Sequence, residues 1–301
     1  MFLLVLYLRK WIKDMKANSK FINLGNDFWG YIRLLSDKLH YSKKINGTSQ
    51  ILAHSKSEIE EYLKTNNISI TPQTLDLVVD YFEYRKDILE NYVEPQLMDV
   101  EESQDRYNQL KKEFVSKYGT PHSPEPLNKQ KGEKRNVAFF TCQINLLTEE
   151  AIDSFNKKNH CNITCDYDPR GLTFLTDKNR TLRDTFTRRF DGAIPSIDNP
   201  VSVWEIKEYY YTTTFGSRIS DGVYETQLDG FEMKNVEGSR PLHNFLIDSH
   251  RTWWTMGKSY LCRIIDALNM GLVDEVVFGK EIYKVWQENV TNACKDLLAE
   301  S

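Results

Sequence analysis

The sequence predicts an α/β (α+β) protein with a mixed central sheet, flanking helices and a mainly helical N-terminal domain. The first observation is apolar residues at helical spacing through residues 1–118. The second is a change of pattern after residue 136, where short apolar runs alternate with helical segments. Helices and strands mixed in this order are typical of a sheet covered by helices.

Composition narrows the functional classes before any motif is considered. The chain has 301 residues, a net charge of -4 and 40% hydrophobic residues, so it can bury a real core. An acidic balance argues against non-specific binding of nucleic acid by overall charge, but it leaves room for a local basic cleft. The odd number of cysteines, five, does not suggest a disulfide framework, and we expect a cytoplasmic protein.

The N-terminal domain is assigned to residues 1–118. Its apolar start, Met1–Leu8, is too short to span a membrane, which takes ~20 residues, and we interpret it as a buried helix rather than a membrane contact. Ser55 with Glu58 forms the pattern of a capping box at the start of a helix. Thr71-Pro72 predicts another helix start, because proline suits the first helical position.

Residues 119–136 are predicted to be a linker. Three prolines, Pro121, Pro124 and Pro126, are followed by four basic residues. Those basic residues are Lys129, Lys131, Lys134 and Arg135. We therefore place a domain boundary here.

Residues 137–301 form the predicted C-terminal domain. Helices are expected over about 148–156, 221–234 and 252–270, the last one stopped by Gly271. The predicted strands are segments rich in β-branched and aromatic residues. They cover 137–142, 171–176, 189–195, 201–207, 245–248 and 275–278.

The chemistry-bearing residues lie on two of these strands. Asp191 belongs to the strand 189–195, and Glu205 and Lys207 belong to the strand 201–207. Residues i and i+2 of a strand point to the same face, so Glu205 and Lys207 share one. If the two strands pair as a hairpin, Asp191 can approach Glu205 across the ladder.

Two close carboxylates suit Mg²⁺, a hard cation that prefers oxygen ligands. Such an ion can polarise a phosphodiester and activate water. The backbone carbonyl of Ile206, between Glu205 and Lys207, is a further candidate ligand. Lys207 could position the attacking water, accept its proton if the lysine pKa is depressed, or stabilise transition-state charge. The alternative is a simple same-face ion pair, which is worth little at a surface.

Phe190-Asp191-Gly192 followed by Trp204-Glu205-Ile206-Lys207 resembles the PD-(D/E)xK nuclease motif, with Phe190 where the family name expects proline. The element order from about 148 to 279 is similar to the common core of that superfamily. The resemblance implies that Asp191 and Glu205 bind Mg²⁺ and that Lys207 acts on the nucleophilic water. It also implies a restriction-endonuclease-like fold for roughly the C-terminal half of the chain.

Supporting residues are expected around this motif. Gln227 resembles the glutamine on the helix after the Glu-x-Lys strand, and Glu149 or Glu150 resembles an acidic residue that some members add to the metal site. A solvated helix face is the alternative for each of them. The residues predicted to contact DNA are Arg188, Arg189, Tyr209 and Arg218.

A stand-alone chain of this length with a helical extension looks most like a type II restriction endonuclease, acting as a homodimer on double-stranded DNA. This resemblance implies that residues 1–118 serve DNA recognition, dimerisation or both. The alternatives left open are a repair, single-strand or RNA nuclease of the same fold, a non-catalytic DNA-binding protein, and a plain interaction protein. A recognition sequence cannot be deduced from the residues, since base contacts depend on how the fold places individual side chains.

Overall fold

The computed structural model describes residues 15–128, 136–212 and 216–300. The predicted N-terminal helix at Met1–Leu8 and the basic run 129–135 lie outside these residues. About 53% of the structure is helical, and a mixed sheet of five strands with flanking helices forms its centre, as the sequence predicts at the level of fold class.

The first part of the chain is helical with one hairpin. Its helices are α1 (Asn26–Lys38), α2 (Lys56–Thr65), α3 (Pro72–Ile88) and α4 (Val100–Tyr118), and its hairpin is formed by β1 (Ser42–Ile45) and β2 (Thr48–Ile51). Both predicted helix starts are confirmed. Ser55 and Glu58 form a capping box before α2, and Thr71 caps α3 with Pro72 in the first turn.

The second part contains the sheet. In chain order its elements are α5 (Phe139–Asn159), β3 (Asp166–Tyr167), β4 (Phe174–Thr176), β5 (Leu182–Thr185), β6 (Gly192–Ile194), β7 (Ser202–Glu208), α6 (Ser217–Asn235), β8 (Leu242–Asp248), α7 (Lys258–Asn269), β9 (Glu275–Phe278) and α8 (Trp286–Glu300). A π-helical segment, His250–Met256, precedes α7. The helix predicted at 252–270 is therefore interrupted at Gly257.

The central sheet has the strand order β3-β6-β7-β8-β9. The first pairings, β3 with β6 and β6 with β7, are antiparallel, and the pairings of β7 with β8 and β8 with β9 are parallel. Helix α6 makes the crossover from β7 to β8, and α7 makes the crossover from β8 to β9, since parallel neighbours need such a connection. The hairpin expected between the strands that carry Asp191 and Glu205 is thus confirmed.

Apolar cores lie on both faces of the sheet. On one face Phe245 and Ile247 pack with Leu261 of α7. On the other face Trp204 and Leu246 pack into the core that contains α5 and α8. Register pairs Glu205 with Phe245 and Lys207 with Ile247, so these two charged residues share the face covered by α6 and α7.

One predicted strand is wrong. Residues 137–142 begin helix α5, with Phe140 and Cys142 buried in its first turns. A helix buried on nearly all sides shows no polar stripe, so a short apolar window of it reads like a strand. The helix expected at 148–156 is the later half of this same element.

The N-terminal helices are joined to the sheet region by a buried ion pair. Arg85 of α3 donates from Nη1 to both oxygens of Asp266 in α7, at 3.0 and 3.1 Å, and the Tyr81 hydroxyl donates to the same carboxylate. Arg85 is 0% and Asp266 3% exposed.

The predicted boundary at 119–136 stays a prediction. Helix α4, which directly precedes this segment, packs on α5 through Tyr107 and Phe114. The described part of the linker also docks on α5, because the backbone N–H groups of His122 and Ser123 donate to Glu149.

Candidate active site

Asp191 is held at the start of β6 by two hydrogen bonds to β7. Its backbone N–H donates to the Trp204 carbonyl at 2.9 Å, which continues the hairpin ladder. Its carboxylate Oδ2 accepts from the Ile206 N–H at 2.7 Å. The Asp191 carboxylate therefore replaces a backbone carbonyl as the acceptor for the Ile206 N–H. This bond fixes the carboxylate beside the backbone that carries Glu205 and Lys207.

Space at this junction is tight. A Cβ atom at Gly192 would lie 2.0 Å from Cζ2 of Trp204, well inside van der Waals contact. Glycine is therefore required directly after Asp191, because the Trp204 indole occupies the space that a Cβ atom would need.

Glu205 and Lys207 form a buried pair on one face of β7. Lys207 Nζ donates to Glu205 Oε2 at 3.0 Å, with side-chain exposures of 11% and 3%. Burial alone lowers the pKa of Lys207, but attraction from Glu205 and Asp191 outweighs it and raises that pKa above its ordinary value. Lys207 is thus a cation at neutral pH, and the option of a lysine base with a depressed pKa is not supported.

Burial and the negative charge of Glu205 raise the pKa of Asp191 well above its usual range. The two carboxylates repel each other in a site with little water. Glu205 Oε1 is buried without a hydrogen-bond partner among the described residues. An orphaned carboxylate oxygen beside a second carboxylate is the feature that a hard cation would satisfy.

Helix α6 adds two carboxylates that the motif did not reveal. Arg188 donates to Asp229 at 2.8 Å and to Glu225 at 2.7 Å, and its Nη1 lies 3.8 Å from Glu205 Oε1. Lys207 Nζ lies 3.8 Å from Glu225. Burial raises the pKa of Asp229 to about 7, although Arg188 opposes the shift. Arg188, predicted to contact DNA, lines the cleft and is engaged by these acidic side chains, and its contact with DNA stays a prediction.

The charges of this network do not balance. It contains four carboxylates, those of Asp191, Glu205, Glu225 and Asp229, and two cations, those of Lys207 and Arg188. When all are ionised the excess is two negative charges, which one divalent cation would neutralise. Among the residues described, no group of three or more His, Cys, Asp and Glu forms a metal-ligand set, so Asp191 and Glu205 would hold an ion with water and backbone oxygens. That arrangement suits Mg²⁺, which often uses one or two carboxylates.

Gln227 is not brought into this network. The face of α6 that meets β7 carries Gly222, where an added Cβ would lie 3.3 Å from Lys207, and Glu225 and Asp229 follow at helical spacing. Gln227 comes five residues after Gly222, ~140° around the helix axis. Its role in the site stays a prediction.

The other predicted residues fall into separate environments. Arg189 is exposed and lines the cleft above Asp191, Glu205 and Lys207, which has a volume of about 410 Å³. Tyr209 is buried and packs on Trp253, with ring centroids 5.6 Å apart. Arg218 lies in the first turn of α6, and its side chain is outside the described part.

The acidic residues expected from the preceding helix serve structure. Glu149 accepts the two linker N–H groups at 2.8 Å. Glu150 binds Lys117 and the Tyr118 hydroxyl of α4 at 3.0 Å. These contacts hold α4 and the linker against α5.

Sequence comparison places most of the chain in families without an assigned activity. Residues 98–293 match the model of a domain of unknown function, DUF7687, and residues 15–92 match that of a second domain of unknown function, DUF7690. The change between the two matches falls just before α4. No curated protein and no solved structure matches the chain. No helix of the described segments is long and apolar enough to cross a membrane.

Proposed function

We propose that this chain, which belongs to the DUF7687 family, is a Mg²⁺-dependent nuclease of the PD-(D/E)xK type that hydrolyses phosphodiester bonds in DNA. The observation that carries the proposal is the bond from the Ile206 N–H to Asp191 Oδ2, because it sets the Asp191 carboxylate beside Glu205 and Lys207. The order α5, β6, β7, α6, β8, with an antiparallel and then a parallel pairing of β7, supports a restriction-endonuclease-like core.

The residues divide the work as follows. Asp191, Glu205 and the Ile206 carbonyl would hold Mg²⁺, which supplies Lewis-acid polarisation of the phosphate and lowers the pKa of bound water. Lys207, a buried cation, orients the attacking water and stabilises negative charge on the phosphate in the transition state. Arg189, exposed at the cleft, contacts a neighbouring phosphate of the substrate.

Arg188 acts on the site through its contacts with the acidic side chains. It touches Glu205, Glu225 and Asp229, so it fixes the position of Glu205 and offsets part of the negative charge. We assign it as a positioning residue because its guanidinium is already engaged by these carboxylates.

Sequence-specific cleavage of double-stranded DNA by a homodimer, as in type II restriction endonucleases, is the finer part of the proposal. Tyr224, Leu228 and Phe231 are about half exposed at 49%, 49% and 48%, and they follow the i, i+4, i+7 spacing on α6. If two copies of the chain pair through this face of α6, Leu228→Glu should remove the apolar contact between them. Sedimentation of the parent protein and of the variant tests this.

The decisive experiment is digestion of large unmethylated DNA with and without Mg²⁺. Asp191→Asn keeps an acceptor for the Ile206 N–H but removes the charge, and Lys207→Ala removes the cation. We expect cleavage to need Mg²⁺ and to fall by at least ~100-fold in both variants. Asp76→Asn, at an exposed ion pair far along the chain in α3, is the control that keeps full activity.

The products separate the alternatives. Discrete bands support a sequence-specific enzyme. A Mg²⁺-dependent smear retains the nuclease and removes the restriction assignment, and activity confined to RNA or single strands changes the substrate. Binding of DNA without cleavage of any nucleic acid would leave a non-catalytic DNA-binding protein and refute the catalytic assignment.

A further inference from the structure

A second cavity opens on the other side of Asp191. It has a volume of about 430 Å³ and shares Asp168 and Asp191 with the cleft that contains Lys207. The two spaces therefore adjoin at Asp168 and Asp191. We call the second one the Tyr167 pocket, and its walls come from the end of β3, the end of β7, the start of α5 and residues 124–128.

The pocket walls combine flat apolar surfaces with a few fixed polar groups. Tyr167, Pro124 and Pro126 supply the apolar part. The polar walls are held in place, because Asn145 donates to the Pro124 carbonyl at 2.9 Å and Thr141 donates to Glu208 at 3.0 Å. Mostly apolar walls with a small number of positioned polar groups are typical of a site for a small planar ligand.

The size of the pocket limits what part of a nucleic acid can enter. A volume of about 430 Å³ corresponds to a space roughly 9 Å across. A B-DNA duplex is too wide for this space, because its major groove alone is ~12 Å wide. A base pair inside a duplex cannot enter such a space. A single base that has left the stack can, and aromatic side chains such as Tyr167 bind bases by stacking.

Charge decides between the base and the phosphate of that nucleotide. The described lining of the pocket contains the carboxylates of Asp168, Asp191 and Glu208, with Arg170 as its one cation. This surface repels a phosphate but accepts the amino groups on the edge of a base. The lining of the neighbouring cleft adds three cations, Arg188, Arg189 and Lys207, to the carboxylates of Asp168, Asp191 and Glu205, so the phosphate is favoured there.

We propose that the Tyr167 pocket receives one unpaired base of the substrate strand, adjacent to the phosphate that is cleaved at Asp191. The proposal rests on the nuclease function above and defines its substrate class: a nucleic acid with a nucleotide outside the duplex, either at a single-stranded or mismatched position or extruded during binding. Enzymes that act on one nucleotide must unstack its base, and this costs least when the base is already unpaired.

The test pairs base deletion with pocket filling. A single-stranded oligonucleotide is scanned with one abasic position at a time, and its dissociation constant is measured with Ca²⁺ in place of Mg²⁺. We expect one position at which loss of the base weakens binding roughly 5- to 150-fold, the range for one stacked base. Ala138→Phe fills the pocket from the residue directly before α5, where Ala138 is 7% exposed. In this variant the normal and abasic strands should bind equally.

Two further variants keep the result interpretable. Leu127→Trp fills the same pocket from its exposed wall and should repeat the effect if Ala138→Phe folds poorly. Ala299→Phe makes the same change as Ala138→Phe in a separate groove between α5 and α8, and it should leave the abasic scan unchanged. Melting temperatures of all three are compared with that of the parent protein.

The outcomes separate the pocket from the nuclease. If the parent protein cleaves DNA with Mg²⁺ but the abasic scan is flat, or if the filled variants keep its sensitive position, the pocket assignment is overturned and the nuclease stands. If the parent protein neither binds nor cleaves DNA or RNA, both proposals fall.

Discussion

The pair formed by Lys207 and Glu205 allows a quantitative test of the site without any substrate. At an N–O distance of 3.0 Å and an effective dielectric constant of ~20, the attraction is about 5–6 kcal/mol before desolvation is counted. Removal of one member of a buried pair leaves an uncompensated charge and costs about 3–5 kcal/mol. We therefore expect Lys207→Met to lower the free energy of unfolding by about that amount in EDTA.

The matched control is the pair Lys56–Asp76. Its N–O distance is 2.7 Å, but its side chains are 49% and 63% exposed. Because water screens such a pair, Lys56→Met should hardly change the free energy of unfolding. Urea denaturation of both variants, with the same slope against urea, gives the comparison.

A double-mutant cycle then isolates the pair. In a Glu205→Gln background the cost of Lys207→Met should shrink, because the buried charge that needed the lysine is gone. Saturating Mg²⁺ should restore part of the stability that Lys207→Met loses, since an ion bound to the folded state stabilises it. Equal costs for Lys207→Met and Lys56→Met would refute the reasoning that Lys207 compensates a buried carboxylate.

Three further outcomes are expected. Burial raises the pKa of Asp229 to about 7, so the folded protein holds a proton that the unfolded chain releases near pH 4. In EDTA, the free energy of unfolding should therefore fall as pH rises from about 4 to 7. The fall should be smaller in Asp229→Asn. Gly192→Ala should cost about 1–3 kcal/mol through its clash with Trp204 and reduce cleavage, whereas Gly30→Ala, with open space around it, should be neutral or stabilising; an equal response of the two would contradict the packing of the Trp204 indole against Gly192. Arg189→Ala should weaken DNA binding similarly for all sequences and lower the salt dependence by about one charge, and unchanged binding would remove Arg189 from the interface.

The elements around the motif were predictable because their patterns are local. Alternation in 201–207 identifies a strand, and its distance from 189–195 allows a hairpin, which the register of Gly192 with Trp204 confirms. The β1–β2 hairpin was missed although Asn46-Gly47 occupies its turn with φ of 50° and 85°, the conformation that Asn-Gly favours. Its strands are mostly exposed and carry little apolar alternation.

Helix α8 was missed for a different reason. Trp286, Val290 and Ala293 are buried at helical spacing, but no element was predicted after the strand 275–278. The start of α5 was assigned to a strand because residues 137–142 are mostly apolar, and the packing of α4 and α8 around this helix explains that composition.

The acidic partners on α6 could not be chosen from the sequence. Glu225 and Asp229 are four residues apart and so share a helix face, but which face meets β7 depends on the crossover from β7 to β8. The same uncertainty made Arg188 and Arg189 look equivalent. In the structure both line the cleft, but Arg188 is engaged by carboxylates and Arg189 is exposed.

The buried bond between Arg85 and Asp266 has a consequence for how such proteins can diversify. One partner lies in the region that matches DUF7690 and the other in the region that matches DUF7687. A chimaera that joins one region to an unrelated neighbour would bury a lone guanidinium or a lone carboxylate, at a cost comparable with the whole stability of many domains. The two halves should therefore be inherited together, and exchange of the N-terminal region alone should succeed only between chains that keep both charges or have lost both.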